Sequence, residues 1–483
     1  MQLLVIQRIL GLLLVIFSST QIPPMLVSVI YLDGAFEAFF DTFAITLITG
    51  IVLWLPVKNR KRELRLRDGF VIVVLFWSVL GLFGAIPLFL SEQPSVSLTD
   101  AVFEAISGLT TTGATVLTGL DTLPKSILYY RQQLQWLGGM GIIILAVAIL
   151  PMLGIGGMQL YRAEMPGPVK DERMTPRIAQ TARMFSVLYV GMTGACALSY
   201  WLAGMNAFDA IAHSMTTLST GGYSTHDASI AFFDSAAIET VAVVFMLLGG
   251  ISFNVHLVAW QTLTPAHYGR SDQVRAFLLA TLVLIVIVAA VLMYGGAQYP
   301  LLDAVRNAAF EVSSVVTSTG YGIADFSIWP GALPVILIFS SFMGGCAGST
   351  AGGMKVIRFV ILARQAGVYI KKLIHPRLVR PIRMDGRVVP SEVVDGVWGF
   401  FTIYVVLFGF LMIVLMTLGM DQVTAFGAVA TCLNNLGPGL GDVATTFADV
   451  SEAAKLVLVV AMILGRLEIF TILVLLAPSF WKG

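Results

Sequence analysis

Charge is scarce in this chain: Asp, Glu, Lys and Arg make up 12% of its 483 residues, about half the share of an ordinary soluble domain. That excludes a soluble enzyme. Histidine is rarer still, with five in all, and His226, His256, His267 and His375 stand at no metal-ligand spacing. The three cysteines, Cys196, Cys346 and Cys432, form no CxxC and lie far apart in apolar or glycine-rich surroundings. A disulfide framework and a zinc site are therefore excluded, and all three read as buried thiols. Nothing resembles a nucleophile elbow, a P-loop or a dinucleotide fingerprint. The chain reads as a non-enzyme with no organic cofactor, and any nucleotide regulation must come from a partner. A formal net charge of +1 says nothing about partners in bulk, and no nucleic acid is expected.

What the chain has in abundance is apolar sequence, 57% of the total. Runs at 3–30, 69–91, 273–296 and 400–420 are each long enough to cross a hydrocarbon core of about 30 Å as a helix. The expected fold class is an all-α polytopic membrane protein in contact with membrane lipid. The first run carries Arg8, continues past Pro23 and Pro24 and lacks a small-x-small cleavage site, so it reads as an anchor and not a signal peptide. Of the 29 Lys and Arg, 22 fall in four linkers: Lys58 to Arg67, Arg162 to Arg183, Arg270 with Arg275, and Lys355 to Arg387. Basic linkers stay in the cytoplasm. Two spans ahead of the first linker place the N-terminus on that side too.

Between the basic linkers lies an internal repeat. Its four copies read FEAISGLTTTGAT from Phe103, AHSMTTLSTGGYS from Ala212, FEVSSVVTSTGYG from Phe310 and GAVATCLNNLGPG from Gly427. Without gaps, Gly113, Gly222, Gly320 and Gly437 share a column, with Glu104, His213, Glu311 and Ala428 nine residues upstream. Each copy begins as a helix-compatible run of about ten residues, which rises about 15 Å, half the bilayer. Irregular backbone at that depth is tolerated only where protein encloses it or a watery path runs beside it, so the four loops must meet. The expected architecture is four span, pore-loop, span units around one pore, plus an N-terminal pair of spans. The candidate cation filter is Thr111, Thr112 and Gly113; Thr220, Gly221 and Gly222; Ser318, Thr319 and Gly320; and Asn435, Leu436 and Gly437. Carbonyl oxygens there can replace the hydration shell of a monovalent cation, and the negative ends of four half-helices add to the attraction. A single such glycine would read as a packing feature, as Gly138, Gly139 and Gly141 do; four aligned copies point to a pore. Glu104 and Glu311 fit a role as supports behind the filter or, alternatively, as proton carriers.

Two further features bear on mechanism. The helix-forming run from about Pro334 stops at Gly344, and the segment Gly344, Gly345, Cys346, Ala347, Gly348, Ser349, Thr350, Ala351, Gly352 and Gly353 is mostly Gly and Ala. A helix cannot persist there, and a break at mid-membrane depth is either a packing seam or the lining of a cavity. Arg466 stands inside an apolar run, where a charge costs at least about 2.5–3.5 kcal/mol unless turned inward. Glu468, two residues on, does not share its helix face. Arg466 is therefore expected below the filter, bonding carbonyls of the Gly344 to Gly353 segment; satisfaction by another helix end is the alternative.

The four filter glycines, GGCAGSTAGGMK from Gly344 to Lys355 and GRLE from Gly465 to Glu468 resemble the TrkH potassium uptake proteins of bacteria, within the Trk/Ktr/HKT superfamily of cation transporters. The resemblance covers essentially the whole chain. It implies one pore per subunit, pairing of subunits as a homodimer, a gate formed by the Gly344 to Gly353 loop, and a cytoplasmic nucleotide-binding ring partner of the TrkA type. Potassium is the implied ion, bound at the filter residues, and the implied location is the bacterial inner membrane. Gly113, at a position where serine accompanies sodium preference in plant relatives, favours potassium. The fourth copy, Asn435 to Gly439, departs from a TGYG-like pattern, so a symmetric filter is not expected. The expected units are an N-terminal two-span segment over 1–68 and pore repeats over 69–178, 179–272, 273–388 and 389–483. The expected function is potassium uptake through a gated channel-like pore, with proton- or sodium-coupled transport as the alternative.

Overall fold

The structure, a computed structural model, describes residues 2–59, 66–144, 174–295 and 298–481. The basic residues Arg60 to Arg65, and Arg162 to Arg173, lie outside them. The described chain is helical apart from one two-residue antiparallel pair, Arg383–Met384 with Arg387–Val388. Among the described residues, six helices are long and apolar enough to cross a membrane, and two further helix pairs would qualify if each bent pair is one span.

The N-terminal segment is a hairpin of Leu3–Tyr31 and Phe36–Val57. Its two arms cross at glycine: a Cβ on Gly11 would meet the Trp54 nitrogen at 2.7 Å, and one on Gly50 the Val15 nitrogen at 2.8 Å. Small residues permit that approach where the lipid supplies no hydrophobic drive for association.

Four units follow. Their first spans are Leu66–Leu90, Met174–Leu202, Asp272–Tyr294 and Ser391–Thr417. Each leads into a short helix: Leu98–Leu109, Ala207–Leu218, Leu301–Val316 and Gln422–Asn434. Three of these start on side chains that accept a backbone N–H, Ser97 from Asp100, Asn206 from Asp209 and Asp421 from Thr424, which fixes where the chain turns inward. The third is 16 residues long, longer than its expected ten, because its helical pattern begins already at Leu301.

The returning spans differ from one another. Lys125–Ile144 is continuous. Ala236–Gly250 bends by 98° into Phe253–Thr262, and Glu452–Arg466 bends by 112° into Phe470–Leu476. In the third unit Leu333–Met343 stops, an irregular segment follows, and Val356–Ile374 resumes the helix. Within Lys125–Ile144 the polar residues Arg131, Gln133 and Gln135 are buried and bond inward: Gln133 donates to the Thr20 carbonyl at 2.6 Å. One break was expected in the sequence; the returning spans of the described residues have three.

Candidate ion-conducting site

The four short helices end alike. Residues Thr111, Thr220, Ser318 and Asn435 take φ between 52° and 54°. One residue on, the N–H of Thr112, Gly221, Thr319 and Leu436 donates to Ser107, Thr216, Ser314 and Thr431 carbonyls at 2.8–2.9 Å. This is the Schellman closure, with Thr, Ser and Asn in the left-handed position that glycine usually fills. A second left-handed residue follows in each copy: Gly113, Gly222 and Gly320 at φ 80–81° and Gly437 at 99°.

These glycines close a ring. A Cβ on Gly113 would lie 2.2 Å from the Gly221 carbonyl oxygen, on Gly222 1.9 Å from that of Thr319, on Gly320 2.1 Å from that of Leu436, and on Gly437 2.9 Å from that of Thr112. Each glycine thus faces the carbonyl preceding the matching glycine of the next unit, and the fourth unit returns to the first. No side chain fits at the first three positions without moving a backbone carbonyl. The twelve residues expected to form a filter are brought together, with the fourth copy the loosest. The backbone carbonyls of this ring and four helix C-termini give a partly negative environment suited to a monovalent cation.

The column nine residues upstream lies behind this ring. Glu104 is buried, accepts from Val116 N–H at 2.9 Å and pairs with Arg131 at 2.7 Å. Glu311 accepts from the N–H groups of Ile323 and Ala324 at 2.8 and 3.1 Å, and His213 Nε2 bonds Ser224 Oγ at 3.0 Å. All three tie a short helix to the irregular segment that leaves the ring. The sequence reading passed over Gln135, whose amide donates to the Gly221 carbonyl at 2.6 Å and accepts from Tyr223 N–H at 3.0 Å. It also passed over two tyrosines in matching places: Tyr223 donates to the Glu104 carbonyl at 2.9 Å and Tyr321 to that of His213 at 3.1 Å. The available signal was Arg131 and Gln135, polar residues four apart on one face of an apolar helix.

Beneath the ring sits the segment from Gly344 to Gly353. Gly344 breaks the helix at φ 64°. Cys346 N–H donates to the Gly250 carbonyl at 2.8 Å, Thr350 N–H to Gly249 at 3.3 Å and Gly353 N–H to Asn434 at 3.0 Å. Ala347 N–H bonds Gln273 Oε1 at 3.1 Å, and Ser349 Oγ donates back to the Cys346 carbonyl at 2.7 Å. Two contacts reach the ring's own residues: Gly352 N–H donates to Ser318 Oγ at 2.5 Å, and Thr220 Oγ1 to Thr350 Oγ1 at 3.3 Å. Glycine is required at 345 and 352, where a Cβ would lie 2.8 Å from the Gly250 carbonyl oxygen and 2.0 Å from that of Asn434.

Arg466 is 3% exposed. Its guanidinium donates to the Thr350 carbonyl at 2.9 Å and to the Gly138 carbonyl at 3.4 Å, joining the loop to the first unit. Glu468 pairs with Arg358, not with Arg466. A further cation escaped notice as a site residue: Lys355, 8% exposed, ends the loop and donates from Nζ to the Ala351 carbonyl. Adjacent carbonyls of the loop are therefore held by two cations. Gly138, Gly249 and Gly465 lie against the ends of three short helices, with Cβ positions 1.8, 3.0 and 2.1 Å from the carbonyls of Leu109, Leu218 and Leu433.

Fold and site together define a class: a helical, multi-pass membrane transport protein with four pore-loop units about one axis. The TrkH cation transport protein family matches residues 35–482, and the chain belongs to that family. It is 52% identical over 482 residues to the Trk system potassium uptake protein TrkH of Halomonas elongata, covering 100% of both chains. Against the protein of that name from Escherichia coli K12 it is 50% identical over 477 residues, covering 99% of both. Among solved structures, the crystal structure of the potassium transporter TrkH from Vibrio parahaemolyticus superposes with a TM-score of 0.93, at 50% identity and 100% coverage of both chains.

Proposed function

We propose that this chain takes up potassium through a channel-like pore whose filter is the ring at Gly113, Gly222, Gly320 and Gly437. The closed succession of glycine against carbonyl through all four units carries the reading: it supplies oxygen ligands without charged side chains, which suits a dehydrated monovalent ion. The names of the relatives supply the ion. Potassium is the cargo, moved down an electrochemical gradient worth about 2.3 kcal/mol per charge per 100 mV.

In the same reading the Gly344 to Gly353 segment is the gate. It fills the space under the ring, and Arg466 and Lys355 fix its carbonyls. Cations at the inner mouth also oppose the passage of a cation while they stay there. Opening requires the segment to move and both bonds to be exchanged for water. A homodimer and a cytoplasmic nucleotide-binding ring of the TrkA type complete the proposal, the ring supplying the work of opening.

The competing reading is symport coupled to protons or sodium. Glu104 and Glu311 are its natural proton carriers, but their bonds to backbone N–H groups and, for Glu104, to Arg131 favour a bracing role. Reconstituted protein under imposed potassium, sodium and proton gradients decides between the two. A channel gives a reversal potential set by potassium and indifferent to the proton gradient. A reversal potential that follows the proton gradient would establish coupling.

A further inference from the structure

From Lys355 to Arg387 the chain carries nine Lys and Arg and one acid, Asp385. Part of that charge is gathered around a cavity of about 550 Å³ between the helix Val356–Ile374 and the chain that returns beside it. Arg364, Lys371, Arg380 and Arg383 line it, with Gly367, Val368, Pro381 and Ile382 between them, and no carboxylate is among the lining residues.

The neighbouring acids are engaged elsewhere. Asp272 accepts from Arg364 Nη1 at 2.9 Å and from Asp385 N–H at 2.9 Å, while its own N–H donates to Asp385 Oδ1 at 2.6 Å. Those bonds fasten the turn to the start of Asp272–Tyr294. Among the described residues the ion pairs of this region involve Arg275 and Arg364 with Asp272 and leave Lys371, Arg380 and Arg383 uncompensated. Three cations with no ion-pair partner facing one concave space attract an anion.

The same helix places Tyr369, Ile370, Leu373 and Ile374 in the open, at 55%, 61%, 85% and 68% exposure. Large exposed apolar side chains interleaved with Lys371 and Lys372 are the pattern of an element able to lie at the boundary between headgroups and acyl chains. A basic linker beside a span faces the cytoplasmic leaflet, which holds the anionic lipids such clusters attract.

We propose that this cavity binds the phosphate headgroup of an anionic phospholipid. Lys371, Arg380 and Arg383 take the phosphate oxygens, and the apolar last turns of the helix enter the acyl boundary beside it. Arginine and lysine both donate charge-assisted hydrogen bonds to phosphate oxygens, so the site rests on charge. The site is independent of the ring and of the ion it selects.

The test uses the full-length purified protein and native mass spectrometry of retained lipid, with phosphatidylglycerol, phosphatidylcholine and inorganic phosphate as probes. Wild type should retain phosphatidylglycerol over phosphatidylcholine. The pair Arg380→Gln with Arg383→Gln should lower that retention by at least about tenfold, each basic group near an anionic surface contributing about fivefold. Arg380→Lys with Arg383→Lys should keep most of it, and Lys372→Gln, outside the cavity, should lower it less than the glutamine pair does, by no more than the roughly fivefold of one basic group near the surface. Equal phosphatidylglycerol retention by wild type and the glutamine pair would overturn the proposal, as would equal retention of the two lipids by wild type. Displacement of the lipid by inorganic phosphate at equal concentration would overturn its assignment to a lipid. Loss of retention in the lysine pair as well would overturn a charge-based site.

Discussion

Arg466 bonds the carbonyl of Thr350 at 2.9 Å across 116 positions of sequence. The bond joins the bend of the fourth unit to the irregular segment of the third, directly under the glycine ring. A charge-assisted hydrogen bond in such a place contributes about 1.5–3 kcal/mol, enough to hold a two-state element mostly in one state.

Replacing Arg466 by Gln should therefore raise potassium flux through the protein without its regulator by on the order of tenfold or more, the shift expected from losing such a bond. Shortening the loop between Gly344 and Gly353 should do the same. The readout is tracer uptake into vesicles, with assembly checked by size-exclusion chromatography. Unchanged flux in both well-assembled variants would remove the segment from gating.

The pair Glu104 and Arg131 is 1% exposed at both side chains. Breaking it from one side, as Arg131→Met or Glu104→Gln, leaves a buried group without its partner and should cost about 3–5 kcal/mol. Removing both should cost less than the sum. Thermal unfolding of the two single variants and the double variant measures this; additive losses would show that the two residues act separately.

In the loop that leaves the second unit's ring, His226 lies between Asp209 and Asp121. Burial alone would depress its pKa, but hydrogen bonds to both carboxylates outweigh burial and hold it above the ordinary 6.5. A raised histidine pKa means the fold favours the protonated form. The stabilisation is complete below pH 6.5 and fades as pH rises through the raised value. Thermal unfolding followed between pH 6 and 9 should show this loss in wild type and a flatter profile in His226→Gln. Parallel profiles would exclude the linkage.

Orientation is open to direct measurement. Cysteines introduced singly between Thr118 and Lys125, or between Asp442 and Ser451, should react with an impermeant thiol reagent added outside, and those between 371 and 387 should not. The opposite pattern would invert the orientation that the basic linkers imply.

Much of this architecture was legible in the sequence because backbone conformation constrains residue type. A position at φ near 80° pressed against a carbonyl tolerates glycine alone, so Gly113, Gly222, Gly320 and Gly437 stand out as a column. The helix break at Gly344 was legible for a similar reason, through its density of glycine. The left-handed closure at Thr111, Thr220, Ser318 and Asn435 was not, since three residue types fill it and none is glycine. The bends after Gly250 and Arg466 were hidden because one or two glycines are common in unbroken membrane helices. Lys125–Ile144 was blurred by its own polar residues: Arg131, Gln133 and Gln135 lower its hydropathy, and their partners, Glu104, Thr20 and Gly221, lie far off in the chain. Contact distances separate the four glycines, with Gly437 the least crowded.

The central claim is that this ring selects the ion, and the permeability ratio of potassium to sodium in Gly222→Ala, against wild type, tests it most directly. A Cβ there would stand 1.9 Å from the Thr319 carbonyl oxygen, so that ligand must move while the short helix ahead of it is untouched. The account predicts a lower ratio at similar expression, comparable losses in Gly113→Ala and Gly320→Ala, and a smaller loss in Gly437→Ala, where the gap is 2.9 Å. Wild-type discrimination in a well-expressed Gly222→Ala protein would contradict it.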